Sequence, residues 1–246
     1  MTIHLEVLPA AAWADRVAAE LIARLRVRPD LRLCLPTGDT PSPVYALLSA
    51  AAQAGEASFE QATILLLDEY LGLPADSPAR ADGRLRRELV DRLEPPAAAF
   101  LTIDVDGPDP EAAAARHDAV ASAGIDLALL GLGMNGHVGL NEPGSLPDAP
   151  TRVVRVALSS RRVAVDRYAA GEPPTAGITL GMDRLLAAGE VWLLVTGDRK
   201  AGILARALLE PPGPDCPASY LRRHPRLTVF ADQDAAARLP AGPPQA

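Results

Sequence analysis

Residues 127–144 read LALLGLGMNGHVGLNEPG, an apolar run that stops at a glycine-rich turn. Four polar side chains follow within eight residues, namely Asn135, His137, Asn141 and Glu142. A short apolar run bounded by a turn is typical of a strand buried in a parallel sheet, and ligands of open α/β sheets sit at the carboxyl ends of such strands. The stretch therefore predicts a strand that delivers an acid–base group to a site. The alternative is an ordinary polar loop in which His137 caps a neighbouring group.

The rest of the chain alternates strand and helix patterns, which predicts a Rossmann-like α/β fold: a doubly wound, mostly parallel sheet with helices on both faces. Residues 177–180 form either a short strand or the lead-in to a helix. The other predicted strands cover residues 3–7, 31–35, 62–67, 125–130, 151–157, 191–195 and 227–231. The predicted helices cover residues 9–25, 43–53, 85–93, 111–123, 161–170, 182–188 and 200–209. We expect one domain over residues 1–239 and a disordered tail at 240–246.

Composition limits the class of protein. The 246 residues are 48% apolar and 4% aromatic, so the core is expected to consist mainly of Leu, Val and Ala. A formal net charge of −7 argues against a nucleic-acid partner but not against a small anion held in a local cationic pocket. Cys34 and Cys216, the only two cysteines, form neither a disulfide framework nor a zinc spacing, and they indicate reduced thiols in the cytosol. No apolar stretch reaches the ~18 residues that span a bilayer and no signal peptide is recognisable, so a soluble, cytoplasmic protein without membrane partners is expected.

The turn after the predicted strand 31–35 contains Thr37, Gly38, Asp39 and Thr40, and a predicted helix follows it. Backbone N–H groups, threonine hydroxyls and the helix dipole together suit an anion such as a phosphate. The spacing of a P-loop is absent. The alternative is a capped helix start in which Thr40 or Asp39 is the N-cap.

Two further predicted strands end in charged side chains. Asp68 and Glu69 follow the apolar run 62–67, and burial of a carboxylate raises its pKa, which suits a general base. Alternatively, one of these acids caps a helix and Glu69 lies on the surface. Lys200, the one lysine among 24 Lys and Arg, follows the strand 191–195 and could pair with a phosphate or be a solvated surface residue. All four turns would lie at one edge of a parallel sheet, and that convergence predicts a single site.

At these residues the sequence resembles the glucosamine-6-phosphate deaminase (isomerase) family, whose relatives include the 6-phosphogluconolactonases. The Asp-Glu-Tyr at 68–70 and the Asn-Gly-His…Asn-Glu-Pro-Gly at 135–144 resemble the deaminase branch, whereas the lactonases more usually carry Asp-Glu-Arg. The resemblance extends from near the N-terminus to about residue 232. The matching stretches are LPTGDTPSPVYALL at 35–48, LLLDEYLGLP at 65–74, IDLALLGLGMNGHVGLNEPGS at 125–145, GITLGMDRLLAAGEVWLLVTGDRKA at 177–201 and LRRHPRLTVFAD at 221–232.

The resemblance implies conversion of glucosamine 6-phosphate, or a close relative, to fructose 6-phosphate and ammonia without a metal or cofactor. It implies that His137 opens the sugar ring and that Asp68 carries a proton from C2 to C1 through an enolamine. Glu142 would orient His137 and set its charge. Asn135 stands where many members carry Asp, so His137 would rely more on Glu142.

The resemblance also implies a phosphate site made by residues 37–40, Arg167 and Lys200. Two departures from the family pattern bear on the substrate. Asp39 stands where the family usually has Gly or Ser, and its charge would repel a phosphate within ~4–6 Å unless Asp39 pairs with Arg167 or points to solvent. Residues 77–81 read SPARA in place of His-Pro-x-Ser-Tyr, so the wall of the pocket is expected to differ.

Two other functions stay open from the sequence. A 6-phosphogluconolactonase would use His137 to activate water at an ester carbonyl, but the residues at 68–70 and 141–143 count against it. A non-catalytic sugar-phosphate sensor would need none of Asp68, His137 and Glu142. The sequence does not fix the oligomeric state, and a homo-oligomer is compatible with it.

Overall fold

A computed structural model describes residues 3–157 and 174–240. The strands are β1 (His4–Leu8), β2 (Arg32–Leu35), β3 (Thr63–Leu66), β4 (Asp68–Tyr70), β5 (Ala99–Leu101), β6 (Leu127–Gly131), β7 (Arg152–Arg155), β8 (Ala176–Thr179), β9 (Glu190–Val195) and β10 (Leu227–Asp232). The α-helices are α1 (Ala10–Val27), α2 (Ser42–Gln53), α3 (Ala81–Glu88), α4 (Pro110–Ala121), α5 (Met182–Leu186) and α6 (Ala201–Leu209). Short 3₁₀ helices cover Val90–Arg92, Asp198–Lys200 and Pro217–Arg223.

Seven strands form one sheet in the order β1-β10-β9-β6-β2-β3-β5, and every neighbouring pair is parallel. The prediction of a doubly wound parallel sheet is therefore confirmed. The chain runs outward from β2 to β3 and β5 in one direction, and then to β6 and β9 in the other. The strand order reverses between β2 and β6, where an open parallel sheet leaves a crevice for ligands.

The sheet is buried on both faces because its side chains alternate between two apolar clusters. On β2, Leu33 and Leu35 face one cluster together with Val17 and Leu48 of α1 and α2. Cys34 faces the other cluster, which includes side chains of α5 and α6. Such near-continuous apolar strands explain why the sequence shows runs rather than alternation at β6 and β9.

A second, smaller sheet lies next to the first and has the order β4-β8-β7, with antiparallel pairs. Only Leu67 separates β3 from β4, so the chain leaves the parallel sheet and enters the second one at that residue. The register sets Asp68 opposite Thr179. Neither β4 nor β5 was predicted, because three residues are too few to show a period. Residues 176–179 are a strand, which settles the choice that the sequence left open.

The third predicted helix, 85–93, is wrong at both ends: α3 begins at Ala81 and ends at Glu88, and a separate 3₁₀ turn follows. The early start has a physical cause in a distant residue. The side chain of Glu69 accepts the N–H groups of Ala81 and Asp82, so the helix is capped from β4. No local capping signal marks this start in the sequence.

Some predictions fall outside the described residues. The predicted helix 161–170, with Arg167, and the residues 241–246 of the predicted tail belong to this group. Within residues 3–157 and 174–240, none of the helices has the length and apolar character needed to cross a bilayer.

Candidate active site

Four turns converge on one cavity of about 440 Å³. They follow β9, β6, β2 and β3, which are neighbours in the sheet, so parallel pairing brings all four carboxyl ends to one edge. The structure thus brings together the predicted residues of the turns; those that line the cavity are Thr37, Gly38, Asp39, Thr40, Asp68, Asn135, His137 and Lys200. Glu142 lies behind Asn135 rather than on this wall. Arg167 is outside the described residues.

Asp68 is the first residue of β4 and borders the cavity beyond the end of β3. Its surroundings remove most of the water from the carboxylate, and this desolvation raises its pKa to about 6, although His137 nearby acts in the opposite direction. His117 of α4 fixes the end of β3, since its Nε2–H donates to the carbonyl of Leu66 over 2.8 Å. Asp68 is therefore a carboxylate with raised basicity on a firmly held strand end.

Glu69 has a different environment from its neighbour. Its side chain is 0% exposed and accepts the N–H groups of Tyr70, Ala81 and Asp82 over 2.8, 2.9 and 2.8 Å. Nε of Arg80 lies 3.6 Å away. Burial raises the pKa of Glu69, and the three backbone donors oppose that rise. The interpretation of Glu69 as a surface residue is wrong; it is the residue that caps α3.

His137 is the second polar side chain of the glycine-rich loop, and two side chains stand in series behind its ring. Its Nδ1 lies 2.7 Å from Oδ1 of Asn135, and Nδ2 of Asn135 donates to Oε2 of Glu142 over 2.8 Å. The reverse orientation of the Asn135 amide would set two oxygens against each other at Glu142, so the amide oxygen faces His137. An amide oxygen only accepts, hence Nδ1 carries the proton and the neutral ring keeps its lone pair on Nε2.

Glu142 also contacts His137 directly, since its Oε2 lies 3.3 Å from Nδ1. Its side chain is 10% exposed, and Oε1 accepts the N–H of Ala157 over 3.3 Å. Because Asn135 is not Asp, we expected His137 to depend more on Glu142. In the structure Asn135 is the nearer partner of His137, and it links His137 to Glu142. Glu142 and Asn135 together fix the orientation of the ring.

Gly133 provides the space for the His137 ring. A Cβ at Gly133 would lie 2.3 to 2.4 Å from three atoms of that ring. The N–H of Gly133 donates to the carbonyl of His137 over 2.9 Å, which closes the loop on itself. The sequence shows that this loop is rich in glycine. Only the fold shows that Gly133 is the glycine that leaves room for the His137 ring.

Asn141 is an anchor of the loop and not a group of the cavity. It is fully buried, its Nδ2 donates to the carbonyl of Leu180 over 2.8 Å, and Nη1 of Arg152 donates to its Oδ1 over 3.0 Å. These bonds tie the loop to the end of β8. Burial lowers the pKa of Arg152.

The turn over residues 37–40 lies between β2 and α2, with Gly38 at φ +134°, a conformation that favours glycine. Asp39 is 63% exposed at its side chain and pairs with Nη2 of Arg84 over 3.1 Å. Arg167, the partner considered for Asp39 from the sequence, lies outside the described residues. Arg84 of α3 is a partner that the sequence did not reveal. Its only signal was its position, three residues after the unusual segment 77–81.

Lys200 ends the 3₁₀ turn that leads into α6, and its Nζ donates to the carbonyl of Leu132 in the loop after β6. The turn is fixed by Asp232 at the end of β10, which is 4% exposed and accepts the N–H of Gly197 with both oxygens, over 3.0 and 2.9 Å. Lys200 thus bridges two of the four turns. Asp232 was missed, although a carboxylate at the end of an apolar strand is a signal of the kind used for Asp68.

The site thus unites a carboxylate of raised basicity, an oriented imidazole, and a turn and a lysine that suit an anion. Such a set can move protons on a bound anionic substrate. Within residues 3–157 and 174–240, no group of three or more His, Cys, Asp or Glu side chains could hold a metal ion.

The chain is similar to known proteins over most of its length. Residues 7–229 match the family of glucosamine-6-phosphate isomerases/6-phosphogluconolactonase. A glucosamine-6-phosphate deaminase of Streptomyces coelicolor is 38% identical over 95% of this chain and 91% of its own length. One of Rhodopirellula baltica is 36% identical over 96% of both chains.

Solved structures show the same fold. A monomeric glucosamine-6-phosphate deaminase is 28% identical, with a TM-score of 0.89 over 97% of this chain and 100% of its own. A 6-phosphogluconolactonase from Thermotoga maritima has a TM-score of 0.74 at 23% identity, covering 94% of this chain and 100% of its own. This second likeness concerns the fold alone.

Proposed function

This chain belongs to the family of glucosamine-6-phosphate isomerases/6-phosphogluconolactonase, and on that premise we propose that it converts glucosamine 6-phosphate and water to fructose 6-phosphate and ammonia. The observation that carries the proposal is that Asp68 and His137 border the same cavity as the turn 37–40 and Lys200. A base, an acid and an anion site within one cavity are what an isomerisation of a sugar phosphate requires. The relatives of 36–38% identity bear the deaminase name.

The first step is opening of the sugar ring. Nε2 of His137 takes the proton of the C1 hydroxyl and gives a proton to the ring oxygen, which yields the open-chain aldehyde. Asn135 and Glu142 keep Nδ1 of His137 protonated, so Nε2 is the atom that exchanges protons with the substrate. The buried charge of Glu142 stabilises the ring while it is cationic.

The second step is transfer of a proton from C2 to C1. Asp68 removes the C2 proton while the aldehyde oxygen takes a proton from solvent, which gives an enolamine. Asp68 then returns its proton to C1 and the amino group loses a proton to solvent, which gives the imine of the ketose. Addition of water to that imine releases ammonia and fructose 6-phosphate. A pKa of about 6 leaves Asp68 ionised at neutral pH and makes it a stronger base than an ordinary carboxylate.

The phosphate is held at the other side of the cavity. The backbone N–H groups and hydroxyls of residues 37–40, the ammonium of Lys200 and, by resemblance, the guanidinium of Arg167 would bind it. A local cationic pocket of this kind suits an anionic substrate even though the net charge of the chain is −7. We assign the reaction to amino-sugar breakdown. We place it in the cytoplasm because Cys34 and Cys216 are buried free thiols.

The test is to mix the purified protein with glucosamine 6-phosphate and measure ammonia and fructose 6-phosphate. We expect release of the two products in equal amounts. Glucosamine without the phosphate is the matched control and should react far more slowly. If the protein hydrolyses 6-phosphogluconolactone and releases no ammonia from glucosamine 6-phosphate, it is a lactonase and the proposal is wrong. If it binds glucosamine 6-phosphate without turnover, it is a sugar-phosphate sensor and the proposal is also wrong.

A further inference from the structure

The two departures from the family pattern border the same cavity. Asp39 lies in the turn after β2, and the segment 77–81 leads into α3, some 40 residues later in the chain. Ala81, the last residue of that segment, lines the cavity, and Arg84 follows on the same helix. Nη2 of Arg84 lies 3.1 Å from Oδ1 of Asp39. The phosphate turn is therefore in contact with α3, three residues beyond the altered segment.

The contact belongs to a network that joins the turn to α3 at several points. Nη2 of Arg84 also lies 3.1 Å from Oγ of Ser42, and its Nε donates to Glu88 over 2.7 Å. Oγ of Ser42 lies 2.7 Å from the carbonyl of Gly38 and 2.8 Å from Oε2 of Glu88, and its single proton serves one of them at a time. The guanidinium therefore stands at the centre of the network.

The exposed fractions of the side chains indicate that Arg84 positions Asp39, rather than the reverse. The side chain of Arg84 is 16% exposed and that of Glu88 25%, whereas that of Asp39 is 63% exposed. Arg84 is thus fixed in α3 first, by Glu88 one turn further along. Asp39 extends from a turn with a glycine at φ +134° and meets this fixed cation. A glycine-containing turn gains a defined position through such a contact.

We infer that Arg84 is a positioning residue of the phosphate turn. It holds the carboxylate of Asp39 and offsets its charge, so that residues 37–40 accept the phosphate of the substrate despite an acid within the turn. The inference rests on the proposed function in one respect, namely that this turn binds a phosphate. The Asp39–Arg84 pair makes α3 part of the specificity for phosphorylated sugars.

The experiment is a double-mutant cycle with Arg84→Gln, Asp39→Asn and the double variant. Arg84→Gln leaves the carboxylate beside the bound phosphate, so we expect KM for glucosamine 6-phosphate to rise about tenfold with kcat little changed. The double variant removes the carboxylate as well, and KM should return to within about threefold of the wild type. Arg84→Lys keeps the charge and should fall between them. Arg87→Gln, on the same helix and exposed, is the control for charge.

The cycle separates positioning from a merely structural role. The bonds of Arg84 to Ser42 and Glu88 are lost in both Arg84→Gln and the double variant, so rescue by Asp39→Asn shows that the charge of Asp39 is what matters. An unchanged KM in Arg84→Gln, or a double variant as weak as Arg84→Gln, overturns the inference.

A second measurement is independent of turnover. Calorimetric binding of inorganic phosphate should follow the same order, with the dissociation constant raised about tenfold by Arg84→Gln and restored in the double variant. If the wild type binds phosphate and the cycle holds while no ammonia is released, the proposed reaction fails and the inference stands. If ammonia is released but Arg84→Gln binds phosphate as the wild type does, the inference alone fails.

Discussion

The two sides of the cavity are built in different ways. On the acid–base side, Asp68 is desolvated, and His137, Asn135 and Glu142 are joined in series by contacts of 2.7 and 2.8 Å. On the phosphate side, Asp39 is exposed and Lys200 and Arg84 are long side chains that reach across between elements. Desolvation therefore governs the first side and screened charge governs the second. We expect changes on the first side to act on kcat and pH dependence, and changes on the second to act on KM and salt dependence.

Asp68→Asn should give the largest effect and test the acid–base side. An amide cannot accept the C2 proton, so kcat should fall about 10³-fold while KM stays within about threefold. The measurement is ammonia release under saturating glucosamine 6-phosphate. Asp76→Asn, at an exposed position in the loop after β4, is the matched control and should retain activity. Turnover near the wild-type rate in Asp68→Asn would remove Asp68 as the base.

Gly133→Ala tests whether the position of the imidazole matters as much as its presence. The new methyl would lie within 2.4 Å of the His137 ring, which must move. A displacement of about 1 Å is expected to lower kcat about 10²-fold, with a smaller change in KM. Gly202→Ala in α6 is the control, since its new Cβ would meet only the end of Arg238 at 3.3 Å. Full activity in Gly133→Ala would show that the ring tolerates this movement.

Lys200→Ala tests the phosphate side. Loss of the ammonium should raise KM about 30-fold with kcat changed far less, and the remaining affinity should depend less on salt. Titration of KM against sodium chloride measures both effects. Arg206→Ala, on the exposed side of α6, removes the same charge away from the cavity and should leave KM unchanged. A loss in kcat alone would place Lys200 on the acid–base side and break the comparison.

The smallest effect concerns pH. The base must be ionised, so kcat/KM of the wild type should fall about tenfold per pH unit below about pH 6, and Lys200→Ala should keep this limb. The free energy of unfolding depends on pH in the opposite direction to kcat/KM. Because the pKa of Asp68 is higher in the folded state than its usual value of 3.8, Asp68 stabilises the folded state below pH 3.8. This contribution is lost as the pH rises through about 6. Denaturant unfolding of the wild type and Asp68→Asn should therefore diverge between pH 4 and 6. Parallel curves would contradict the shifted pKa.

The fold was predictable because its strands are long apolar runs with turn residues at their ends. β2, β6 and β9 lie within two residues of their predicted bounds. Parallel pairing then placed four turns at one edge, and this could be argued without coordinates. β4 and β5 escaped detection because each has three residues, and the start of α3 escaped because its cap comes from Glu69, twelve residues earlier.

The site was predictable in its residue types and less so in their connections. Polar groups next to apolar strands marked Asp68, His137 and Lys200. Arg84, Asp232 and the support of His137 by Gly133 depend on which turns become neighbours, and no local pattern encodes that. The roles assigned to Asp68, His137, Asn135, Glu142 and the phosphate-binding residues stay predictions until the variants are measured.

The Asp68–Glu69 pair also limits how this chain can change its length. Successive residues of a strand face opposite ways, so one carboxylate serves the cavity and the next caps α3. Insertion of a single residue between Leu67 and Asp68 would exchange the two positions and send each acid to the wrong side. Grafts between relatives should therefore be joined outside residues 67–70, whereas the exposed loop at 74–78 is a better place for a junction.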